Sequence, residues 1–354
     1  MGQTKNTDKY PPVVKWWLAA GVIMIIGQIV IGGITRLTGS GLSITKWEIV
    51  TGTLPPLDAA AWRAEFEAYQ ATPQYAKINA GMSLSDFKFI YFWEYFHRLW
   101  ARLMGFVFLI PFLIFWRKGW LDGPLMRRLG VTVLLAAVVA SFGWIMVASG
   151  LIERPWVNAY KLTMHLSLAC ILYAYLLWTT FQVFQPEPTS FPHAMWKTGA
   201  KWLTALVAVQ IILGGIMSGA KAALFYPTWP DMNDEWIPEV LTRGGMWNVE
   251  NFVNYDATLF LPALVQFLHR GTAYLLTIML LYFAWQVLKR HPPRLLRRGV
   301  YLLVTMLVIQ VVLGILTVIH SVGMIPVGLG VLHQAGAIFL LSAMLFVNYQ
   351  LART

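Results

Sequence analysis

The segment WEYFHRLWARLMG, residues 93–105, sets Glu94, His97, Arg98 and Arg102 into an otherwise apolar run. A second segment, VQFLHRGTAYLL from Val265, repeats the arrangement with Gln266 where the first has its acid. Ionisable side chains are costly in hydrocarbon, so inside such runs they are functional candidates by default. Glu94 and His97 are three residues apart and share one helix face. A carboxylate beside an imidazole can take or give protons; the amide of Gln266, three residues before His269, cannot. Two further histidines, His165 and His333, lie in apolar runs, 68 residues after His97 and 64 after His269. The four therefore form two pairs of nearly equal spacing, of which one owns an acid.

Two imidazoles from different helices suit axial coordination of a haem iron in a bundle core. Zinc usually takes three or four ligands, and only Glu94 could add to one pair. Arg98 and Arg270 directly follow His97 and His269, and Lys161 lies one turn before His165. A guanidinium presents a planar fork to carboxylates, so these cations are candidates for holding haem propionates. Snorkelling toward headgroups is the plainer reading of one such cation; recurrence beside the histidine in both segments weighs against it. The change from Glu94 to Gln266 reads as specialisation: the acid half for chemistry, the amide half for a cofactor that only passes electrons. Ordinary drift between the two residue types is the alternative. His193 and His291 sit in loops among Pro, Lys and Arg and read as solvated. His320 stands outside the pattern, matching Ser149 when FGWIMVASG is laid on LGILTVIHS, and a part in proton or electron delivery is left open for it.

The elements that must position these residues are membrane spans. Of 354 residues, 58% are hydrophobic and 12% charged, and mean hydropathy is +0.59; a soluble domain carries about 25% charged residues. A span needs about 20 apolar residues. Eight runs qualify, at 16–36, 95–116, 127–149, 159–184, 200–220, 261–288, 296–320 and 327–350. The fold class is an all-α polytopic membrane protein. His97, His165, His269 and His333 each fall in the early turns of an even-numbered span, and so at similar depth. The net charge of +11 sorts between loops rather than marking a nucleic-acid partner, for which no motif is present. One set of connections holds Arg117, Lys118, Arg127, Arg128, Lys289, Arg290, Arg297 and Arg298 with few acids. The other carries Asp231, Asp234, Glu235, Glu239, Glu250 and Asp256. By the positive-inside rule both termini are cytoplasmic, and the loops at 37–92 and 221–260 face outward. With one cysteine, Cys170, no disulfide or CxxC pair can form within this chain. The N-terminus has no transit-peptide character, and the first apolar run is too long for a cleavable signal. A bacterial inner-membrane protein is expected, with its histidines near the periplasmic face.

The halves repeat. QIVIGGITRLTGSGLSITKW, Gln28 to Trp47, aligns without gaps onto QIILGGIMSGAKAALFYPTW, Gln210 to Trp229, with seven of twenty positions identical. Chance likeness between apolar helices does not readily explain the match of Trp47 with Trp229 beyond the span. Four spans per half is an even number, so the repeats are parallel, about an axis along the membrane normal. Two pseudo-symmetric four-helix bundles follow, 1–184 with Glu94 and 185–354 without an acid.

EYFHR, QFLHRGTAYLL, VLHQAGAIFLL and the outer-loop FYPTWPDMND together resemble the haem A synthase family, over nearly the whole chain from Gln28 onward. The resemblance implies oxidation of the C8 methyl of haem O to a formyl group, giving haem A for cytochrome oxidase. It implies a haem b cofactor on His269 and His333, the haem O substrate on His97 and His165, and an essential acid at Glu94. Haem O synthase and cytochrome oxidase assembly factors are the implied partners, and a homo-oligomer is compatible with it. One branch of the family carries an outer-loop cysteine pair; this chain lacks it and resembles the proteobacterial and mitochondrial branch, which leaves the electron route open. Two rivals remain. A bis-histidine electron-transfer cytochrome needs ligands near both membrane faces, and no span has a histidine near the cytoplasmic one. A repeat-built transporter often breaks helices at mid-membrane, whereas the polar groups here gather near the outer edge; haem export or chaperoning would use similar ligands.

Overall fold

The computed structural model describes residues 9–46, 54–150, 155–189, 191 and 194–352. Trp47, His193 and the side chain of Ser149 lie outside the described residues. Among those described, the chain is helical without strands, and eight long helices dominate. These are α1 Pro12–Leu37, α2 Leu84–Arg117, α3 Gly123–Gly150, α4 Ala159–Phe184, α5 Ala194–Gly219, α6 Phe260–Leu288, α7 Arg294–Ile319 and α8 Val327–Gln350. All eight are long and apolar enough to cross a bilayer. The chain is a multi-pass membrane protein.

Local chemistry sets the boundaries. Pro12 opens α1 at a position where the missing N–H costs nothing. Asn158 caps α4, its side chain accepting from the Tyr160 and Lys161 backbone N–H groups. Asp122 does the same for α3 through the Leu125 N–H. Most helices begin within a few residues of the hydropathy reading. The exception is α2, which starts at Leu84 rather than near residue 95. Asp86 and Lys88 interrupt the apolar run but not the helix, because Ser83 and Asp86 form a capping box. The 34 residues of α2 span about 51 Å, far more than the roughly 30 Å hydrocarbon core. His97 therefore sits almost four turns into α2, not in its early turns, whereas His165 and His333 lie within two turns of their helix starts. The short helices Ala59–Gln70 and Pro73–Lys77 support the projecting end of α2. Tyr69 and Phe87 stack there, with Trp62, Phe66 and Tyr75 around them.

Consecutive helices pack as hairpins: α1 on α2, α3 on α4, α5 on α6 and α7 on α8. The centre is built by α1, α4, α5 and α8, where α1 packs on α4 and α8, and α5 packs on α4 and α8. Leu18, Leu176, Leu280, Val300, Leu303 and Met344 belong to one continuous buried cluster. Arg36, ending α1, donates to the carbonyls of Ser218 and Gly219 that end α5, satisfying acceptors a helix end leaves unpaired. Gly219 meets Ala159 so closely that a Cβ would lie 2.5 Å from the Ala159 Cα. Only glycine fits at that crossing. One pairing is unequal between the halves: α6 packs on α7, while among the described residues α2 and α3 have almost no contact.

Candidate haem-binding site

Each of the four span histidines rests on a glycine of the helix before it. A methyl added at Gly32 would sit 3.0 Å from the His97 Cε1, and one at Gly143 would sit 3.0 Å from that of His165. At Gly214 the distance to His269 is 3.2 Å, and at Gly314 the distance to His333 is 2.9 Å. Any larger residue would push the imidazole off its seat, since carbon contacts settle at about 3.5–4.0 Å. Gly32 and Gly214 are matched positions of the repeat, as are Gly143 and Gly314. Each hairpin thus holds one imidazole in the same way.

In the second half the two rings come together across the hairpins. His269 and His333 have centroids 6.4 Å apart and planes at 79°. Two iron–nitrogen bonds of about 2 Å plus the inner halves of both rings require about 6 Å. The Nδ1 atoms of both rings are buried without a hydrogen-bond partner in the protein, and an unsatisfied buried polar atom costs about 1–3 kcal/mol. These residues fit a bis-imidazole haem. In the first half His97 is seated on α1 and His165 on α3. The His165 Nδ1 is 3.1 Å from the Val139 carbonyl, so it donates there and leaves Nε2 its lone pair for a metal. Among the described residues no group of three or more His, Cys, Asp or Glu could hold a metal.

A glutamine one turn before each first-hairpin glycine completes the seat. The Gln28 amide nitrogen lies 3.3 and 3.2 Å from the two ring nitrogens of His97 and donates to the His97 carbonyl at 3.2 Å. Gln210 does the same to His269, at 3.2 Å from Nε2 and 3.0 Å from the carbonyl.

Glu94 and Gln266 are both buried and both clasp the loop that leaves the preceding helix, with opposite polarity. The Glu94 Oε2 accepts from the Ser43 N–H at 2.7 Å, the Ser43 hydroxyl at 2.8 Å and the Ile44 N–H at 2.9 Å. Its Oε1 pairs with Arg98 at 2.5 Å. Gln266 instead donates from Nε2 to the Tyr226 carbonyl at 2.8 Å. Tyr226 is the repeat counterpart of Ile44. The acid half binds two backbone N–H groups of its loop; the amide half binds a backbone C=O.

The cations are drawn into the same clasp. Arg98 also donates to the carbonyls of Lys46 and Ile44, and Arg270 donates to those of Asp231 and Tyr226. Their guanidiniums are therefore partly committed to loop carbonyls. Lys161 is half-buried in the first turn of α4. His320 caps the end of α7, exposed, with its Nδ1 2.8 Å from the Leu316 carbonyl. His291 is exposed in a positive-φ turn, as the loop reading expected. The four glycines, Gln28, Gln210, Ser43 and Tyr226 were not singled out as site residues. Their signal was present, because the matched QIVIGG and QIILGG contain both glutamines and two of the glycines.

Residues 15–345 match the family described as cytochrome oxidase assembly protein. Among curated relatives, the Heme A synthase of Flavobacterium johnsoniae is 38% identical over 340 residues, covering 95% of this chain and 97% of its own. That of Bradyrhizobium sp. strain BTAi1 is 41% identical, covering 93% and 88%, and that of Nitrosospira multiformis is 40% identical, covering 95% and 93%. The chain belongs to the haem A synthase family of cytochrome oxidase assembly proteins.

Proposed function

We propose that this membrane oxidoreductase converts haem O to haem A, and that it divides the work between its halves. The half at 1–184 takes the substrate between His97 and His165; the half at 185–354 holds haem b between His269 and His333. The observation that carries this reading is the fourfold imidazole-on-glycine seat at matched repeat positions, joined in the second half by a His269–His333 ring spacing that suits two bonds to one iron. Parallel duplication into two four-helix bundles accounts for it. The charge distribution supports cytoplasmic termini in a bacterial inner membrane and pockets toward the periplasmic face.

The protein's contribution is positioning and electrostatics. His97 and His165 fix the substrate macrocycle against α1 and α3, seated on Gly32 and Gly143. A haem b held by His269 and His333 supplies one-electron redox chemistry. Glu94 lies on the same face of α2 as His97, and its carboxylate is immobilised by four hydrogen bonds. Its pairing with Arg98 leaves the couple net neutral, so what it sets beside the substrate is the field of an oriented buried ion pair, which can stabilise charge that develops during oxidation of the methyl. Proton transfer through Oε1 would first require the Arg98 pair to open, so electrostatic stabilisation is the role the geometry favours. Gln266, uncharged, gives its pocket no such field.

The substitution Glu94→Gln tests this assignment. Bound haem should persist, while haem A formation falls to background in whole-cell haem extracts. Haem A at the wild-type rate would remove Glu94 from the reaction.

A further inference from the structure

The two halves act as controls for each other, and they differ at one edge. In the second half the α5/α6 hairpin meets the α7/α8 hairpin along both edges, α5 on α8 and α6 on α7. In the first half α1 packs on α4, but among the described residues α2 and α3 have almost no contact. The α1/α2 and α3/α4 hairpins are thus joined along one edge and parted along the other. The turn at 118–122 still holds α2 and α3 together at one end. The difference appears in burial: 6% of the most apolar stretch is buried in α2 and in α3, against 28% in α6 and 17% in α7. His97 sits on the α1 wall of this cleft and His165 on its α3 wall.

We propose that the α2–α3 seam is a lateral port through which an isoprenoid-tailed porphyrin passes between the lipid and the His97–His165 pocket; this rests on the functional reading above. The occupant follows from the surroundings. Leu103, Phe106 and Ile110 on α2 and Val131, Leu134 and Trp144 on α3 are exposed, so the two helices that bound the seam present apolar surface, which suits a hydrocarbon tail rather than a water-soluble ligand. The cleft leads inward to the half-buried imidazoles of His97 and His165, which suit the iron of the same molecule. A substrate must enter and its product leave at every turnover, whereas a resident cofactor need only stay. An open edge in the acid-bearing half and a closed one in the other match those two requirements. The seam also separates port from chemistry: nothing in it needs to titrate or react.

The test bridges the seam. At a rise of 1.5 Å per residue, Phe106 and Leu134 stand at the same level, counted from the turn that joins α2 and α3. The double substitution Phe106→Cys with Leu134→Cys is bridged by a short bis-maleimide in the otherwise intact protein, where Cys170 is buried. A matched pair, Ile278→Cys with Thr305→Cys, bridges α6 and α7. Each protein is mixed with lipid vesicles containing haem O, and bound haem O is followed by its absorption and by extraction. Bridging the first pair should slow loading at least tenfold with haem b content unchanged, and bridging the second should leave loading within twofold. Loading within twofold after bridging α2 to α3 would overturn the port. So would bridging that joins two copies of the chain instead of two helices of one, since the seam would then be an oligomer interface. Haem A is scored separately, so a protein that loads haem O without oxidising it counts against the reaction and not the port.

Discussion

The substitution Gly314→Ala probes the seat under His333 with a single methyl. That methyl would lie 2.9 Å from the imidazole Cε1, where a relaxed carbon contact needs about 3.5 Å or more. The ring must retreat by about 0.6 Å or its helix must shift, and site geometries tolerate about 0.5 Å. Residues that orient metal ligands typically change affinity by about 10–100-fold when altered, or about 1.4–2.7 kcal/mol. The fold should not suffer, because alanine is a better helix former than glycine by about 1 kcal/mol. Loss of the ligand and loss of the fold can therefore be told apart. The assay is absorption and electron paramagnetic resonance of the purified protein, with thermal unfolding in parallel. Expected is a decline of the low-spin signal and faster loss of haem on washing, with the unfolding temperature preserved. Gly271→Ala on α6 is the control, since a methyl there meets nothing within 4 Å, and its spectrum should equal the wild type's. A Gly314→Ala protein with the wild-type spectrum and retention would refute the seat.

Other perturbations follow from the loop clasps and the helix ends. In Gln266→Glu a buried carboxylate oxygen would face the Tyr226 carbonyl that now accepts a hydrogen bond. This should destabilise the protein by about 2 kcal/mol or more; an unchanged unfolding temperature would contradict the clasp. At the other end of the helices, Asp122 accepts from Tyr10, Lys9 and the Leu125 N–H. Burial alone would raise its carboxyl, but these partners outweigh it and hold the group below its usual range. A carboxyl depressed in the fold adds stability above its unfolded value of about 3.9 and loses it as the pH falls through the folded value. Asp122→Asn keeps a capping side chain, since Asn and Asp serve equally at a helix start, but gives up the charge facing Lys9; it should therefore lower the unfolding temperature slightly at neutral pH, with the gap to wild type closing on acidification below about pH 4. A gap that stayed constant with pH, read by thermal unfolding, would show that charge has no part in it.

The spans were legible because hydrophobicity leaves a strong local mark, and the four span histidines stood out because ionisable residues are rare in such runs. Three features were not. The start of α2 was hidden because hydropathy registers Asp86 and Lys88 as a break, while the capping box of Ser83 and Asp86 makes them a helix beginning. The glycine seats were hidden because a glycine in an apolar helix has many causes, and only the partner ring 3.0 Å away identifies this one. The contrast of Glu94 with Gln266 was visible, but not its structural half. Both residues clasp loops, and their polarity follows whether the loop offers N–H or C=O groups. Arg98 and Arg270 recur beside their histidines partly for that same reason. Periodicity finds what faces inward; it does not tell which backbone atom a side chain will meet there.

The division of labour between the halves is tested most directly by extracting the haems of the purified wild type, His97→Ala and His269→Ala and identifying each by mass. Haem b should survive in His97→Ala without haem O or haem A, and should be absent from His269→Ala. Two variants with the same haem complement, or haem b lost from His97→Ala alone, would contradict the assignment of substrate and cofactor to separate histidine pairs.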